Sequence, residues 1–306
     1  VAVIDIGSNS IKILVASRAE DGALRQHFSH SIEARISAGL ARLTPLLSDA
    51  GMQSGVEAIC SLLAAAAEHG PRATVLVATS AVRDARNGGE FCARVRAATG
   101  HPVRMLSGTE EANLIGRGLT SDPALRGIRD FYVFDLGGGS LECLAFRDRT
   151  IAQAVSLPLG CVRLTEKFIR DPALPLAEAD RAAVASHARA TLAASVFGFS
   201  LPAGARVVGS GGTAATARAI LGARAGRSFE TTDPLLAVIE LEQMLAWLSR
   251  LPLTERRQIP GLPAPRADVF PVALTTLIAV AAAGGFPAYH NSLYNLRFGV
   301  ADETLT

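Results

Sequence analysis

Lysine is nearly absent from this chain: of 30 basic residues only Lys12 and Lys167 are lysine, leaving 28 arginines. Arginine suits two-point phosphate binding. Beside so much alanine, however, the ratio reads first as a base-composition bias, and a net charge of +2 does not by itself point to nucleic acid. Cysteine is scarce as well. Cys60, Cys92, Cys143 and Cys161 lie far apart, with no C-x-x-C pair and no histidine-rich neighbour, which argues against a zinc site and makes them small buried apolar residues. No G-x-x-x-x-G-K-[ST] occurs, which excludes a P-loop. The most apolar segment, 272–286, is shorter than the ~20 residues of a membrane span and contains Thr275, Thr276 and a Gly-Gly pair, so it reads as a core helix. No signal peptide is visible, although the chain opens inside a strand without a methionine. A cytoplasmic location is expected, with no membrane partner and no specific nucleic-acid partner.

What is present is globular: 306 residues, 49% hydrophobic and 19% charged, enough for two domains with separate cores. The organising stretch is Val133-Phe134-Asp135-Leu136-Gly137-Gly138-Gly139-Ser140-Leu141-Glu142, which reads as strand, tight turn and strand. Without a Cβ, Gly137, Gly138 and Gly139 are free to take positive φ and converge their N–H groups on an anion. A plain glycine-rich hairpin would look the same. The start of the chain shifts the balance. Val3-Ile4-Asp5-Ile6-Gly7-Ser8-Asn9-Ser10-Ile11-Lys12 repeats the pattern at a constant offset, Asp5 answering to Asp135, Gly7 to Gly137, Ser8-Asn9 to Gly138-Gly139 and Ser10 to Ser140. Two copies imply an internal duplication. A third loop, Gly209-Ser210-Gly211-Gly212-Thr213, follows an apolar run and opens a helical stretch, so the positive end of a helix dipole would add to its N–H groups.

Alternating apolar residues from Ile11 to Ala16 and from Leu24 to Ile36 continue the first copy as a three-stranded meander. Ser48 is a helix N-cap, Ala73 to Thr79 a strand, Ala81 to about Ala98 a helix, and Pro102 to Leu106 a short strand. Ser107-Gly108-Thr109-Glu110-Glu111-Ala112 starts the next helix. The helix dipole favours acidic residues there by ~0.3–1 kcal/mol each, so one of these glutamates needs no further reason. Periodicity lapses over 120–130, which places a boundary between domains 1–119 and 120–306, the final helix being free to pack back on the first. The second half repeats the meander over 131–157, with a turn at Asp148-Arg149, and goes on to a helix after Leu159, a long alanine-rich helix from Leu176 to about Phe197, the third loop with its helix, the core helix and a last helix. Strands followed by helices, twice, give an α/β fold.

A duplicated Asp-Gly turn with strands on both sides resembles the acetate kinase, sugar kinase, Hsp70 and actin superfamily. Within it, the motifs resemble the exopolyphosphatase and guanosine pentaphosphate phosphohydrolase (Ppx/GppA) family. They are Asp5-Ile6-Gly7-Ser8-Asn9-Ser10, Ala78-Thr79-Ser80-Ala81-Val82-Arg83-Asp84, Ser107-Gly108-Thr109-Glu110-Glu111-Ala112, Asp135 to Glu142, Leu159-Gly160-Cys161-Val162-Arg163, Gly209 to Thr213, Arg266-Ala267-Asp268 and Leu296-Arg297-Phe298-Gly299. Their order and spacing make the set specific across nearly the whole chain.

The resemblance implies two ribonuclease H-like (actin-like ATPase) domains with an interdomain cleft. It implies a metal-dependent phosphohydrolase that releases terminal phosphate from inorganic polyphosphate or guanosine pentaphosphate. Glu111 would be the base that activates water, Asp135 and Glu142 would lie by the metal and the attacking water, and Arg83 would hold the terminal phosphate. Ser8, Asn9, Gly137, Gly138, Gly139 and Ser140 would cradle the phosphoryl chain, with Gly211, Gly212 and Thr213 of the third loop. Mg²⁺ or another divalent cation suits Asp5, Asp135 and Glu142, because a hard cation takes carboxylate and phosphate oxygens. Arg163, Arg218, Arg256, Arg257 and Arg266 read either as a basic track or as solvated surface. A kinase of the same superfamily and a non-catalytic polyphosphate or alarmone sensor are the alternatives, and a homodimer is among the assemblies the reading allows.

Overall fold

The computed structural model describes residues 1–38 and 45–306. The chain divides into two compact units, Val1–Gly127 with Tyr294–Thr306, and Ile128–Leu293. The division falls a few residues beyond 119/120, because the helix that starts at Gly108 runs to Thr120 and a short 3₁₀ turn, Pro123–Leu125, follows it within the first unit.

The first unit runs β1 (Ala2–Ile6), β2 (Ile11–Arg18), β3 (Leu24–Ile32), α1 (Asp49–Ala67), β4 (Thr74–Ala78), α2 (Ser80–Asp84), α3 (Gly88–Thr99), β5 (Val103–Met105) and α4 (Gly108–Thr120). The second runs β6 (Phe131–Leu136), β7 (Leu141–Arg147), β8 (Thr150–Leu157), α5 (Cys161–Phe168), α6 (Glu178–Ala193), β9 (Arg206–Ser210), α7 (Gly211–Arg224), β10 (Leu235–Ala237), α8 (Val238–Leu248), α9 (Leu253–Arg256), α10 (Phe270–Gly284) and β11 (Ala288–Asn291). The last helix, α11 (Leu296–Leu305), belongs to the first unit.

One sheet order occurs twice. In the first unit it is β3-β2-β1-β4-β5, with β1, β2 and β3 antiparallel and β4 and β5 parallel to β1. In the second, β8-β7-β6-β9-β11 reproduces it, and β10 adds an antiparallel edge. Every residue of β6 is buried, which is why the central strand reads as an unbroken apolar run. The β7–β8 hairpin closes on Asp148 and Arg149, both at positive φ (51° and 61°), the handedness a two-residue hairpin turn requires.

Several elements differ from the sequence reading. The helix expected over 81–98 is two, because Ala85 is extended (ψ 131°) and Gly88 packs so tightly that a Cβ there would lie 2.0 Å from the Val82 carbonyl oxygen. The alanine-rich helix starts at Glu178 and stops at Ala193. Short β10 lacks alternation, and it escaped notice together with α8. Among the cysteines only Cys143 and Cys161 are buried; Cys60 is exposed. Nearly all of α10 is buried, whereas α1 has the length and mean hydropathy of a membrane span; its Met52, Ala58, Ile59, Leu62 and Ala66 lie in the core of the first unit.

Helix α11 is held to α4 by contact of backbone on backbone. A Cβ at Gly299 would lie 1.8 Å from the Leu114 carbonyl oxygen, and one at Gly118 would lie 2.1 Å from that of Asn295. Charge closes the same seam: Asp302 accepts from Arg18 Nη2 at 2.8 Å and from Arg117 Nε at 2.5 Å. Burial pushes the Asp302 carboxyl up, but the two guanidiniums outweigh it and hold the group below its ordinary value.

Gly299→Ala is therefore expected to destabilise the protein by roughly 1–3 kcal/mol or more through overpacking, read as a lower melting temperature. Asp302→Asn tests the charged part of the seam. A carboxyl with a lowered folded pKa stabilises above its unfolded value of 3.8 and ceases to do so as pH falls through the folded value. The variant should be less stable by roughly 1 kcal/mol at neutral pH, with the gap closing on acidification below that value.

Candidate functional site

The two turns that follow β1 and β6 are built alike. Gly7 N–H donates to Ser10 O at 3.2 Å, and Gly137 N–H to Ser140 O at 3.0 Å. In each unit the residue at the strand end, Asp5 or Asp135, stands opposite a residue of the next strand, Lys12 or Glu142.

In the second unit the turn's carbonyls are all taken from one side. Cys161 N–H donates to Gly137 O (3.0 Å), Val162 and Arg163 N–H to Gly138 O (2.9 and 3.2 Å), and Arg163 Nε to Gly139 O (2.8 Å). These are the first amides of α5, which have no partner inside their own helix. No peptide here is cis, and in a trans peptide N–H and C=O point in opposite directions. The N–H groups of Gly138, Gly139 and Ser140 are thus turned away from α5, towards one side. The mechanism differs from the expected one: Gly137 does not adopt a positive φ, and carbonyl capture sets the direction. Glycine is demanded instead at Gly160, where a Cβ would lie 2.3 Å from Gly138 O and from Gly139 N and C.

The first unit does the same with loop residues. Ser37 donates to Ser8 O through its N–H (3.3 Å) and its hydroxyl (3.1 Å), and Arg35 N–H donates to Asn9 O (2.9 Å). Asn9 and Ser10 N–H are therefore turned the other way. Asn9 is fixed further: its amide donates to Glu33 Oε2 (2.5 Å) and its Oδ1 accepts from Arg35 Nε (3.3 Å). Ser8 Oγ lies 3.4 Å from Ser80 Oγ.

A polar row crosses the second sheet. Ser210, Asp135, Glu142 and Ser156 are register partners on β9, β6, β7 and β8. The Ser210 hydroxyl donates to Asp135 Oδ2, and the Ser156 hydroxyl to Glu142 Oε1 at 2.7 Å. Asp135 is 9% exposed and Glu142 2%, so these are two buried carboxylates side by side. The third loop joins them: Gly211 is left-handed (φ +79°), and a Cβ there would strike Asp135 Oδ1 at 2.3 Å. Thr213 Oγ1 donates to Leu136 O at 3.3 Å, and Gly212 leaves room for the Arg266 guanidinium, which a Cβ would meet at 2.2 Å. In the first sheet the row reads Val77, Asp5, Lys12, Ser31. Burial pushes the Asp5 carboxyl up, while Lys12 and Arg297 pull it down.

The two glutamates at the start of α4 divide. Ser107 and Glu110 form a reciprocal cap, with Ser107 N–H donating to Glu110 Oε2 (2.9 Å) and Glu110 N–H to Ser107 Oγ (3.2 Å). Glu110 is exposed and held below its ordinary pKa by the Ser107 backbone and side chain. Glu111 is 5% exposed, and Arg83 Nη1 donates to its Oε2 at 2.9 Å and to Leu106 O at 2.9 Å. Of the arginines named for a basic track, Arg256 is buried against the carbonyls of Pro172, Leu174 and Ala267, half-buried Arg218 donates to that of Thr232, and Arg257 is exposed. Sequence reasoning missed the bracing role of Arg35, Ser37, Gly160 and Arg163 and the hydroxyls of Ser156 and Ser210. The duplicated register, extended one strand further on each side, would have found the two serines.

A metal fits the second unit best. Among the described residues no three His, Cys, Asp or Glu side chains form a metal-binding group, but Mg²⁺ needs only one or two carboxylates when phosphate oxygens complete its shell. Asp135 and Glu142 offer that pair, whereas the neighbours of Asp5 are cations.

Comparison with known proteins agrees with this duplicated architecture. The family model described as the Ppx/GppA phosphatase family matches residues 14–306. A Vibrio cholerae protein named guanosine-5'-triphosphate,3'-diphosphate pyrophosphatase is 31% identical over 280 residues, 91% of this chain and 54% of its own length. The chain thus spans about half the length of the curated relatives it matches. Among solved structures, an exopolyphosphatase from Cytophaga hutchinsonii superposes with TM-score 0.88 at 23% identity, covering 99% of this chain and 97% of that one. A Ppx/GppA family member from Aquifex aeolicus gives 0.77 at 22%, covering 99% and 96%. The fold is the two-domain actin-like one.

Gly160→Ala is expected to displace the glycine turn. The measurable outcome is a loss of roughly 1–3 kcal/mol in thermal stability, together with shifted amide resonances of Gly138, Gly139 and Ser140.

Proposed function

The chain belongs to the Ppx/GppA phosphatase family, and from that membership and the geometry of each unit we propose a metal-assisted phosphohydrolase that removes terminal phosphate from inorganic polyphosphate or guanosine pentaphosphate. The observation that carries the reading is the buried Glu111, paired with Arg83 while its neighbour Glu110 does the capping. A carboxylate with no duty at the helix end, beside a guanidinium, suits the transfer of a phosphoryl group to water.

In this reading Arg83 binds oxygens of the terminal phosphoryl group. Its Nη1 is engaged with Glu111 and Leu106 and its Nε faces Asp84 Oδ1 at 3.6 Å, so the Nη2 edge of the planar fork is the one to offer. The amides of Asn9 and Ser10, and those of Gly138, Gly139 and Ser140, hold phosphate oxygens. Gly211, Gly212 and Thr213, at the start of α7, add the positive end of a helix dipole. Glu111 takes a proton from water as its oxygen attacks phosphorus; the bridging P–O bond breaks, and the shortened chain leaves with the electron pair. Asp135 and Glu142 would hold Mg²⁺, which when bound supplies neutralisation of charge on the phosphoryl oxygens. A kinase would need an alcohol acceptor, and a sensor would have no use for a base at Glu111.

The test is phosphate release from long polyphosphate, tripolyphosphate and guanosine pentaphosphate, with and without Mg²⁺, in wild type, Glu111→Gln and Glu110→Gln. As a general base, Glu111 should contribute ~10²–10⁴-fold to kcat, with substrate affinity held or improved. Glu110→Gln should change turnover little and lower the melting temperature slightly. Equal small effects at both positions would refute the assignment, and transfer to an alcohol in place of water would make the enzyme a kinase.

A further inference from the structure

The segment that follows the third strand of each sheet delivers an arginine to the phosphate turn, and in both units that arginine holds the carbonyl of the same turn residue, by Nε in one unit and by its backbone N–H in the other. Arg163 donates its N–H to Gly138 O and its Nε to Gly139 O at 2.8 Å. Arg35 donates its N–H to Asn9 O and its Nε to Asn9 Oδ1 at 3.3 Å. Gly139 and Asn9 occupy the same place in the duplicated turn. Neither arginine belongs to the Asp-Gly repeat from which the duplication was read, and their supporting backbones differ: Arg163 lies in the first turn of α5, Arg35 in an irregular loop. Arg35 is moreover left-handed (φ +47°), a conformation in which an L side chain is disfavoured and asparagine or glycine is usual. A strained arginine reaching the same point of the turn as an unstrained one is an observation in search of a role.

We propose that Arg35 and Arg163 are one positioning device occurring twice. Each holds the rear of its turn, Arg163 through N–H and Nε on the carbonyls of Gly138 and Gly139, Arg35 through N–H on the Asn9 carbonyl and Nε on the Asn9 side chain, and each places a positive charge behind the anion. The proposal rests on the phosphate-binding reading of the turns given above. Lysine cannot replace either residue, since it has a methylene where arginine has Nε.

Arg35→Lys and Arg163→Lys keep the charge and remove that donor. Tripolyphosphate binding is measured by calorimetry without Mg²⁺, and KM, kcat and the pH profile are measured with it. Each variant should raise Kd and KM about tenfold, the loss expected for one hydrogen bond involving a charged group, with kcat, pH profile and melting temperature little changed. Arg35→Asn suits the left-handed backbone, so it separates strain from side-chain function: stability should hold or rise while Kd still rises. Arg189→Lys, on exposed α6 surface, is the control and should change nothing. Unchanged Kd and KM in the lysine variants would overturn the inference, as would a fall in kcat at constant KM, or an Arg35→Asn protein that binds like wild type. A wild type that binds tripolyphosphate without hydrolysing it would defeat the proposed function, and the Kd comparison would still decide the role of the arginines.

Discussion

The structure depends on where the carbonyls of two short turns are directed. A turn of small residues has no side chain large enough to fix its peptide planes, so its N–H groups point wherever its carbonyl partners allow. Here those partners come from the segment after the third strand: the first amides of α5 in one unit, and Arg35 and Ser37 in the other. A helix start normally seeks acceptors for its orphan amides. In α5 it finds them in the glycine turn, and that exchange satisfies both partners at once. Closeness is the condition. Gly160 provides it by omitting a Cβ, and the strand pairing of β6, β7 and β8 brings the two segments together.

Given the turns, the strand register sets the chemistry. Antiparallel partners share a face of the sheet, so Asp135 and Glu142 lie together, flanked by serines that donate to them. Two like charges directly opposite are destabilising, and their burial adds to the penalty. The hydroxyls offset part of it. In the first unit the same backbone position carries Lys12, and the row is a cation beside a carboxylate. The two units thus share the scaffold and carry opposite charge at one position, Lys12 in the first and Glu142 in the second.

Much of this was legible in the sequence, because the Asp-x-Gly turn between strands fixes a register and its repetition fixes a topology. The antiparallel pairing of the first three strands in each sheet follows from that repeat, while the places of the later strands do not. Other features were out of reach for physical reasons. Glycine at Gly137 signals freedom of φ, yet the chain uses none there; it uses the missing Cβ of Gly160 and the left-handed φ of Gly211. Arginine is a surface residue by habit, and nothing local announces that Arg256 is 2% exposed among carbonyls. The break between α2 and α3 depends on Gly88 meeting the Val82 carbonyl, a contact that periodicity does not see. Arg35 lies outside every motif, since its conformation is imposed by the loop around it.

The start of α4 shows how adjacent identical residues are given different work. One step along a helix rotates a side chain by about 100°, so if Glu110 is turned back onto the cap, Glu111 must face elsewhere, here towards α2 and Arg83. Ser107 decides which is which: as N-cap it makes Glu110 the third helical residue, the position from which a carboxylate reaches the cap N–H. Glu111 is then carried inward with its charge. An ion pair with one partner buried and the other half-buried is a weak source of stability, since desolvation cancels much of the attraction, and an apolar pair of similar volume would serve the core as well or better. Packing alone therefore gives no account of Arg83 and Glu111. It is the cap at Ser107, and not packing, that decides which of two adjacent glutamates meets Arg83.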